Sequence, residues 1–185
     1  LTMMVRYGDV SLPVGYEIVK KDISYSEIAT KKEKRKASVS KNTYFRRLIA
    51  QAVTSCIKFK YILSDSWFAS KENMKYIHTE LNRLFIFWIK SNRVIAMTEE
   101  DKKNGEYQQL KDSSLEDGVP TKVYLKDLDF PVLLMKEIFT NEDGRIRTRY
   151  LVTNDLSLDA HQILDLYKKR WSIEEYHKSV KQNAS

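Results

Sequence analysis

Tyr167-Lys168-Lys169-Arg170-Trp171-Ser172-Ile173-Glu174-Glu175-Tyr176-His177-Lys178-Ser179-Val180-Lys181 is the stretch whose reading organises this chain. From Tyr167 the steps are three residues to Arg170, four to Glu174, four to Lys178 and three to Lys181. At 3.6 residues per turn, these alternating threes and fours predict five side chains on one face of a single helix. That face would carry one carboxylate among a phenol, a guanidinium and two ammonium groups. A carboxylate can hold a metal ion, and cations can hold phosphates. The same spacing also suits ordinary surface ion pairs, each worth about 0.2–0.5 kcal/mol. The two readings part on whether the rest of the chain supplies a second carboxylate.

A length of 185 residues fits one domain with a sizeable core. Hydrophobic content of 42% with charged content of 31% predicts a folded, globular chain. The longest apolar run, Leu84 to Ile89, is too short to span a bilayer. The N-terminus lacks the basic, apolar and small-residue succession of a secretory leader. One cysteine, Cys56, excludes an internal disulfide and a Cys-rich zinc site, and it fits a reducing cytoplasm. The net charge of +7 favours a polyanionic partner, with nucleic acid first among the candidates.

Taken in order, Leu1–Arg6 and Leu12–Val19 read as an antiparallel hairpin about Tyr7-Gly8-Asp9. Lys31-Lys-Glu-Lys-Arg-Lys36 reads as a basic cluster in a loop, either a solvated charge run or a phosphate contact. Lys41–Cys56 has helical spacing, with Tyr44, Leu48, Ile49, Ala52 and Val53 on its apolar face. Phe59–Asp65 predicts a short buried strand ending on an acid, Ser70 caps a following helix, and Arg83–Ile89 predicts a second buried strand. Strand and helix alternating here imply right-handed crossovers and a partly parallel sheet.

Beyond residue 90 the texture changes. Val94–Met97 is a brief strand candidate, and Thr98–Gly118 is polar and reads as irregular. Val123–Leu125, Val132–Phe139 and Arg145–Val152 predict strands, the last two joined by a turn at Asn141–Gly144. Ser157 or Asp159 can cap a terminal helix from about His161 through Lys181, whose apolar surface would be Ile163, Leu164, Leu166, Trp171 and Ile173. The predicted organisation is an α/β core over 1–90, a β-rich insertion over 91–153 and the signature helix over 154–185.

Asp65 is the second carboxylate of interest. An acid at the C-terminal end of a buried strand sits where open α/β sheets place ligands, although such a residue also commonly caps the next turn. Asp65 and Glu174 at one sheet edge would offer the hard oxygen ligands that Mg²⁺ prefers.

Tyr167, Arg170, Glu174 and Lys181 together match Tyr-x2-Arg-x3-Glu-x6-Lys, which resembles the signature of the insertion sequence 4 family of DDE transposases. Tyr150–Asp155, Arg170–Glu174 and Ile62–Phe68 also look like blocks of that family, so the resemblance covers essentially the whole chain. It implies a ribonuclease H-like mixed sheet with flanking helices. It also implies three acids that bind two Mg²⁺ ions, with Mn²⁺ as an alternative, to cut and rejoin transposon-end DNA. Asp65 would be the second acid and Glu174 the third, with the β-rich insertion between them. Tyr167, Arg170, Lys178 and Lys181 would hold double-stranded DNA or its phosphates. The family's setting is the bacterial cytoplasm and nucleoid, without a membrane, and its full-length members work as dimers on paired ends.

The sequence departs from the family at its first acid. Asp9 falls in a turn between strands, so Leu1–Val19 reads as the second and third strands, and the first strand is expected to be missing. A fragment with little activity of its own is the resulting expectation. Trp171 is expected in the core, while Trp67 is left open between core and DNA. The rival readings are a non-catalytic DNA-binding remnant and a metal-dependent nuclease of the same fold.

Overall fold

A computed structural model describes residues 1–28, 31–141 and 143–183. The chain forms two compact units, Leu1–Phe59 with Ser172–Ser185, and Lys60–Trp171.

In the first unit, β1 (Thr2–Tyr7) and β2 (Val10–Tyr16) form an antiparallel hairpin. Its turn uses Gly8 at φ 58°, a conformation open to glycine at little cost. Asp9 in that turn is fully exposed and pairs with Arg6 at 3.3 Å. α1 (Lys41–Thr54) starts at Ser40, whose side chain accepts from the Thr43 amide. It buries Leu48, Ile49 and Ala52 and packs against β2. That approach needs a glycine in β2, because a Cβ on Gly15 would lie 3.0 Å from Leu48 Cδ2. Val53, expected on the apolar face, is instead 40% exposed.

The basic cluster at Lys31–Lys36 is not a loop. Lys32–Lys36 is strand β4, paired antiparallel with β3 (Ile23–Glu27). Every residue of β4 is exposed, so apolar alternation could not announce it. Cross-strand contacts replace that signal: Lys34 meets Glu27 at 2.6 Å, and the Lys36 ammonium lies 5.4 Å from the Tyr25 ring centre. α5 (Ser172–Asn183) completes this unit and packs against β1.

The second unit is a seven-stranded mixed sheet in the order β5-β6-β11-β10-β9-β7-β8. β5 (Tyr61–Ser64) and β6 (Leu84–Ile89) are parallel, joined through α2 (Lys71–Lys75) and a π-helical turn at Tyr76–Glu80. This is one parallel crossover; among the described residues β1 and β2 form their own two-stranded sheet, so the strand–helix–strand step expected over α1 is not made within one sheet. Residues 91–153 supply β7 (Val94–Ala96), β8 (Gln108–Gln109), β9 (Thr121–Leu125), β10 (Val132–Thr140) and β11 (Ile146–Thr153), all antiparallel to their neighbours. The turn expected at Asn141–Gly144 joins β10 to β11, with the Gly144 amide donating to the Asn141 carbonyl; its Glu142 lies outside the described residues.

β6, the first half of β10 (132–135) and the last half of β11 (150–153) are buried on both faces, and their residues are mostly apolar. Ile86, Met135 and Leu151 point to one side, where α4 (Ala160–Lys168) lays down Ile163 and Tyr167. Phe85, Phe87, Leu134 and Val152 are completely buried on the other. α4 begins at Asp159, whose carboxylate and Gln162 form a reciprocal capping box. Thr98 and Asp101 form another at the start of α3 (Glu99–Asn104), within a segment expected to be irregular. There the cap pattern Thr-x-x-Asp outweighs the absence of an apolar stripe.

The terminal helix is not continuous. α4 ends at Lys168, a 3-10 turn covers Lys169–Trp171, and α5 starts at Ser172. The Lys169 amide bonds to the Leu166 carbonyl three residues back, which tightens the winding. Trp171-Ser172-Ile173 then places three weak helix formers in succession. No helix of the described residues is long and apolar enough to cross a membrane.

Candidate active site

Asp65 directly follows β5, next to the parallel strand β6. Its Oδ1 accepts the Trp67 amide at 2.9 Å, and its carbonyl accepts the Phe68 amide at 3.3 Å. The acid therefore does cap the turn after its strand, as strand-end acids commonly do. Among the described residues its second carboxylate oxygen makes no hydrogen bond. That oxygen is the atom available to a ligand.

Leu63 of β5 packs on the α4 side of the sheet, and alternation puts Asp65 on that side too. Tyr167 of α4 is buried there at 3% exposure. Burial raises its hydroxyl pKa; Arg170 and Arg149 oppose that rise, and the charge of Asp65 adds to it. Asp65 and Tyr167 are thus close enough to feel one another, and the 3-10 turn carrying Arg170 packs against β5.

Two guanidinium groups stand over the Tyr167 ring, Arg149 at 5.2 Å and Arg170 at 5.5 Å from its centre. Arg149 belongs to β11 and shares the face of Leu151 by parity. Glu137, its cross-strand partner, holds it through two contacts of 2.5 and 2.7 Å. Sequence reasoning missed Arg149. The available signal is its place two residues before a core leucine, in a strand that the apolar pattern announces.

The structure therefore groups Asp65, Tyr167, Arg170 and Arg149 within one unit. Glu174, Lys178 and Lys181 lie on α5 and are exposed. Their spacing of four and three residues keeps those three on one face of α5, whereas the expected five-residue face is interrupted at the 3-10 turn. Trp171, expected in the core, is 58% exposed; the tightened turn swings it off the α4 stripe, and the Arg170 guanidinium lies 6.0 Å from its ring centre.

Two polar networks brace this region. The Tyr61 hydroxyl donates to Asp155 Oδ2 at 2.6 Å. Burial pushes the Asp155 carboxyl upward, but hydrogen bonds from Ser157 and Tyr61 prevail and hold it below the usual range. Beside it, Asn154 Oδ1 accepts the Phe85 amide at 2.8 Å, which fixes the amide orientation. Asn154 Nδ2 must then donate, to the Arg83 carbonyl at 3.0 Å and to His78 Nδ1 at 2.9 Å. His78 is accordingly neutral with its proton on Nε2.

A mixed seven-stranded sheet flanked by helices, with an acid at the end of a parallel strand and arginines beside it, defines a ribonuclease H-like α/β domain. Residues 28–184 match the sequence profile of the family described as Transposase DDE domain, and the chain belongs to that family. Comparison with curated proteins returns no match. Membership assigns the chain a role in transposition, with DNA as substrate.

Domains of this family generally depend on divalent metal ions. The open oxygen of Asp65 is a hard ligand that suits Mg²⁺, which commonly takes one or two carboxylates and completes its shell with water and substrate phosphate. Among the described residues no three His, Cys, Asp or Glu side chains gather as a ready-made metal cluster.

Proposed function

We propose that this chain is catalytic-domain sequence of an insertion sequence 4-type transposase that cuts and rejoins transposon-end DNA. The grouping of Asp65 with Tyr167, Arg170 and Arg149 at the end of a parallel strand carries this reading. Asp65 and Glu174 serve as acidic metal ligands. A bound pair of Mg²⁺ or Mn²⁺ ions would supply activation of an attacking hydroxyl and stabilisation of a leaving 3′ oxygen. Arg170 suits bidentate phosphate binding, and Lys178 and Lys181 act as point charges toward the DNA backbone. Tyr167 keeps the Arg170 guanidinium in place through its ring face.

Asp9, the candidate first acid, is fully exposed in a hairpin turn and paired with Arg6, which supports weak cutting by these 185 residues alone. The reading is tested with a supercoiled plasmid carrying the DNA that flanks the gene, with Mg²⁺ or with chelator. The expected result is salt-sensitive duplex binding, with at most slow, Mg²⁺-dependent nicking that Glu174→Ala abolishes. Vigorous nicking would sink the weak-activity proposal, and cutting without joined products would favour hydrolysis over transfer. Duplex binding indifferent to Mg²⁺ and to Asp65→Asn would favour a non-catalytic DNA-binding remnant, the reading that the exposed, Arg6-paired Asp9 also suits.

A further inference from the structure

The basic run Lys32-Glu33-Lys34-Arg35-Lys36 forms one strand of the β3–β4 ribbon. Four of the five residues in β3 and all five in β4 are exposed, so neither face of the ribbon lies against a core. The ribbon is tied at its root, where the Ser38 amide and hydroxyl donate to the two carboxylate oxygens of Asp22 at 2.8 and 2.6 Å.

Directly opposed residues of an antiparallel pair point to the same side. The register therefore puts Lys32, Lys34 and Lys36 on one face with Glu27, Tyr25 and Ile23. Arg35 and Glu33 share the other face with Ser24 and Ser26. The contacts agree: Lys34 reaches Glu27 at 2.6 Å and Lys36 stands 5.4 Å from the Tyr25 ring centre, both across the first face. Charge is thus divided unevenly. One face carries a cation and an anion, whereas the other carries three ammonium groups against one carboxylate. Alternate residues of a strand are about 6.8 Å apart, so the three lysines form a row about 14 Å long. Charge on an open ribbon discourages pairing with other edges, but that need does not sort the signs by face. A row of one sign fits a linear polyanion, and duplex DNA presents about one charge per 1.7 Å of its axis.

We propose that the β3–β4 ribbon is a duplex-binding surface distinct from α5, with its lysine face laid along the sugar-phosphate backbone of double-stranded DNA. Phosphate contacts carry no sequence information, so this surface holds DNA of any sequence. The choice of DNA as the polyanion rests on the transposase reading; the one-sided row of charge does not. None of its residues belongs to the signature motif.

The test follows the anisotropy of a labelled duplex of arbitrary sequence at several salt concentrations. The 185-residue chain is compared with Lys32→Thr/Lys36→Thr and with Lys32→Arg/Lys36→Arg. A third variant, Lys103→Thr/Lys111→Thr, removes the same charge from exposed positions of the second unit. Threonine suits a strand, and Lys34 is kept so that its bond to Glu27 survives. Lys32→Thr/Lys36→Thr should lower the slope of log affinity against log salt by about 1.8, at roughly 0.9 for each duplex phosphate released. The arginine and second-unit variants should keep the wild-type slope. Lone two-stranded ribbons are marginal in water, so the amides of β3 and β4 should gain hydrogen-exchange protection when duplex is added to the wild type. That measurement needs no substitution and decides the matter even where a variant misfolds. Three results would each overturn the ribbon proposal and leave the transposase reading standing: an unchanged slope for Lys32→Thr/Lys36→Thr, a drop shared by either other variant, or no gain in protection while duplex still binds. Tighter binding to phosphatidylcholine vesicles containing phosphatidylserine than to duplex would overturn the choice of DNA. Failure of the wild type to bind duplex would overturn both readings.

Discussion

The Tyr61 hydroxyl donates a 2.6 Å hydrogen bond to the carboxylate of Asp155, 94 residues away, and so ties β5 to the segment that follows β11. Burial first, and then Asp155, raise the Tyr61 pKa well above its ordinary value; Asp155, held down by Ser157 and Tyr61, lies below its own. The signs differ. Stability from the depressed Asp155 is present above the unfolded carboxylate value near 3.9 and is lost as pH falls through the folded value. Stability from the raised Tyr61 is present below about pH 10 and is lost as pH climbs toward the folded value. Tyr61→Phe should cost about 1–2 kcal/mol near neutral pH and should flatten the alkaline decline. Urea melts at pH 7 and in the alkaline range check both.

Asn154 closes a second network, and its loss strands a buried backbone amide at Phe85. Asn154→Leu should therefore destabilise the chain by about 2–3 kcal/mol, more than a surface substitution would. His78 accepts from Asn154 in its neutral form, and burial lowers its pKa. The unfolded chain then takes up this proton first, so stability is present above about pH 6.5 and declines as pH falls toward the folded value. Melts between pH 7 and 5 should show that decline in the wild type, and His78→Gln should reduce it.

Asp65→Asn separates the structural and metal roles of one side chain. An asparagine oxygen can still accept the Trp67 amide, so the turn and the melting temperature should be preserved within a degree or two. Any stabilisation by Mg²⁺ should disappear, because the charged oxygen ligand is gone. Thermal melts with and without Mg²⁺ read both outcomes; a large melting drop without metal would show that the charge itself holds the fold.

Lys178 and Lys181 sit on one exposed face of α5, so their removal should weaken DNA binding without unfolding the chain. Each alanine substitution should reduce the slope of log affinity against log salt by about 0.9 if it frees one duplex phosphate. Titrations of a labelled duplex at several salt concentrations check this. Unchanged slopes would remove both lysines from the DNA-binding set.

Much of the second unit is legible from local signals. Ser70 and Asp159 announce helix starts by capping chemistry, and the apolar runs of β6, early β10 and late β11 announce strands covered on both faces there. Asp65 can be placed at a strand end for the same reason. β4 cannot be read, because its charged residues pair with β3 through cross-strand contacts that no periodicity records. α3 is legible in principle from Thr98-x-x-Asp101.

The stretch from Tyr167 to Lys181 divides the same way. Its sequence determined helical character, the alignment of Glu174, Lys178 and Lys181 on one face, and the Tyr167–Arg170 pair, since each depends on a rotation of about 100° per residue. Only the tertiary structure decided that the winding tightens at Lys169–Trp171, that Trp171 faces outward, and that Arg149 of β11 joins Arg170 over the Tyr167 ring. Helical spacing specifies which residues of one segment can share a face. Burial of Tyr167 against a sheet built from distant strands specifies what that face meets.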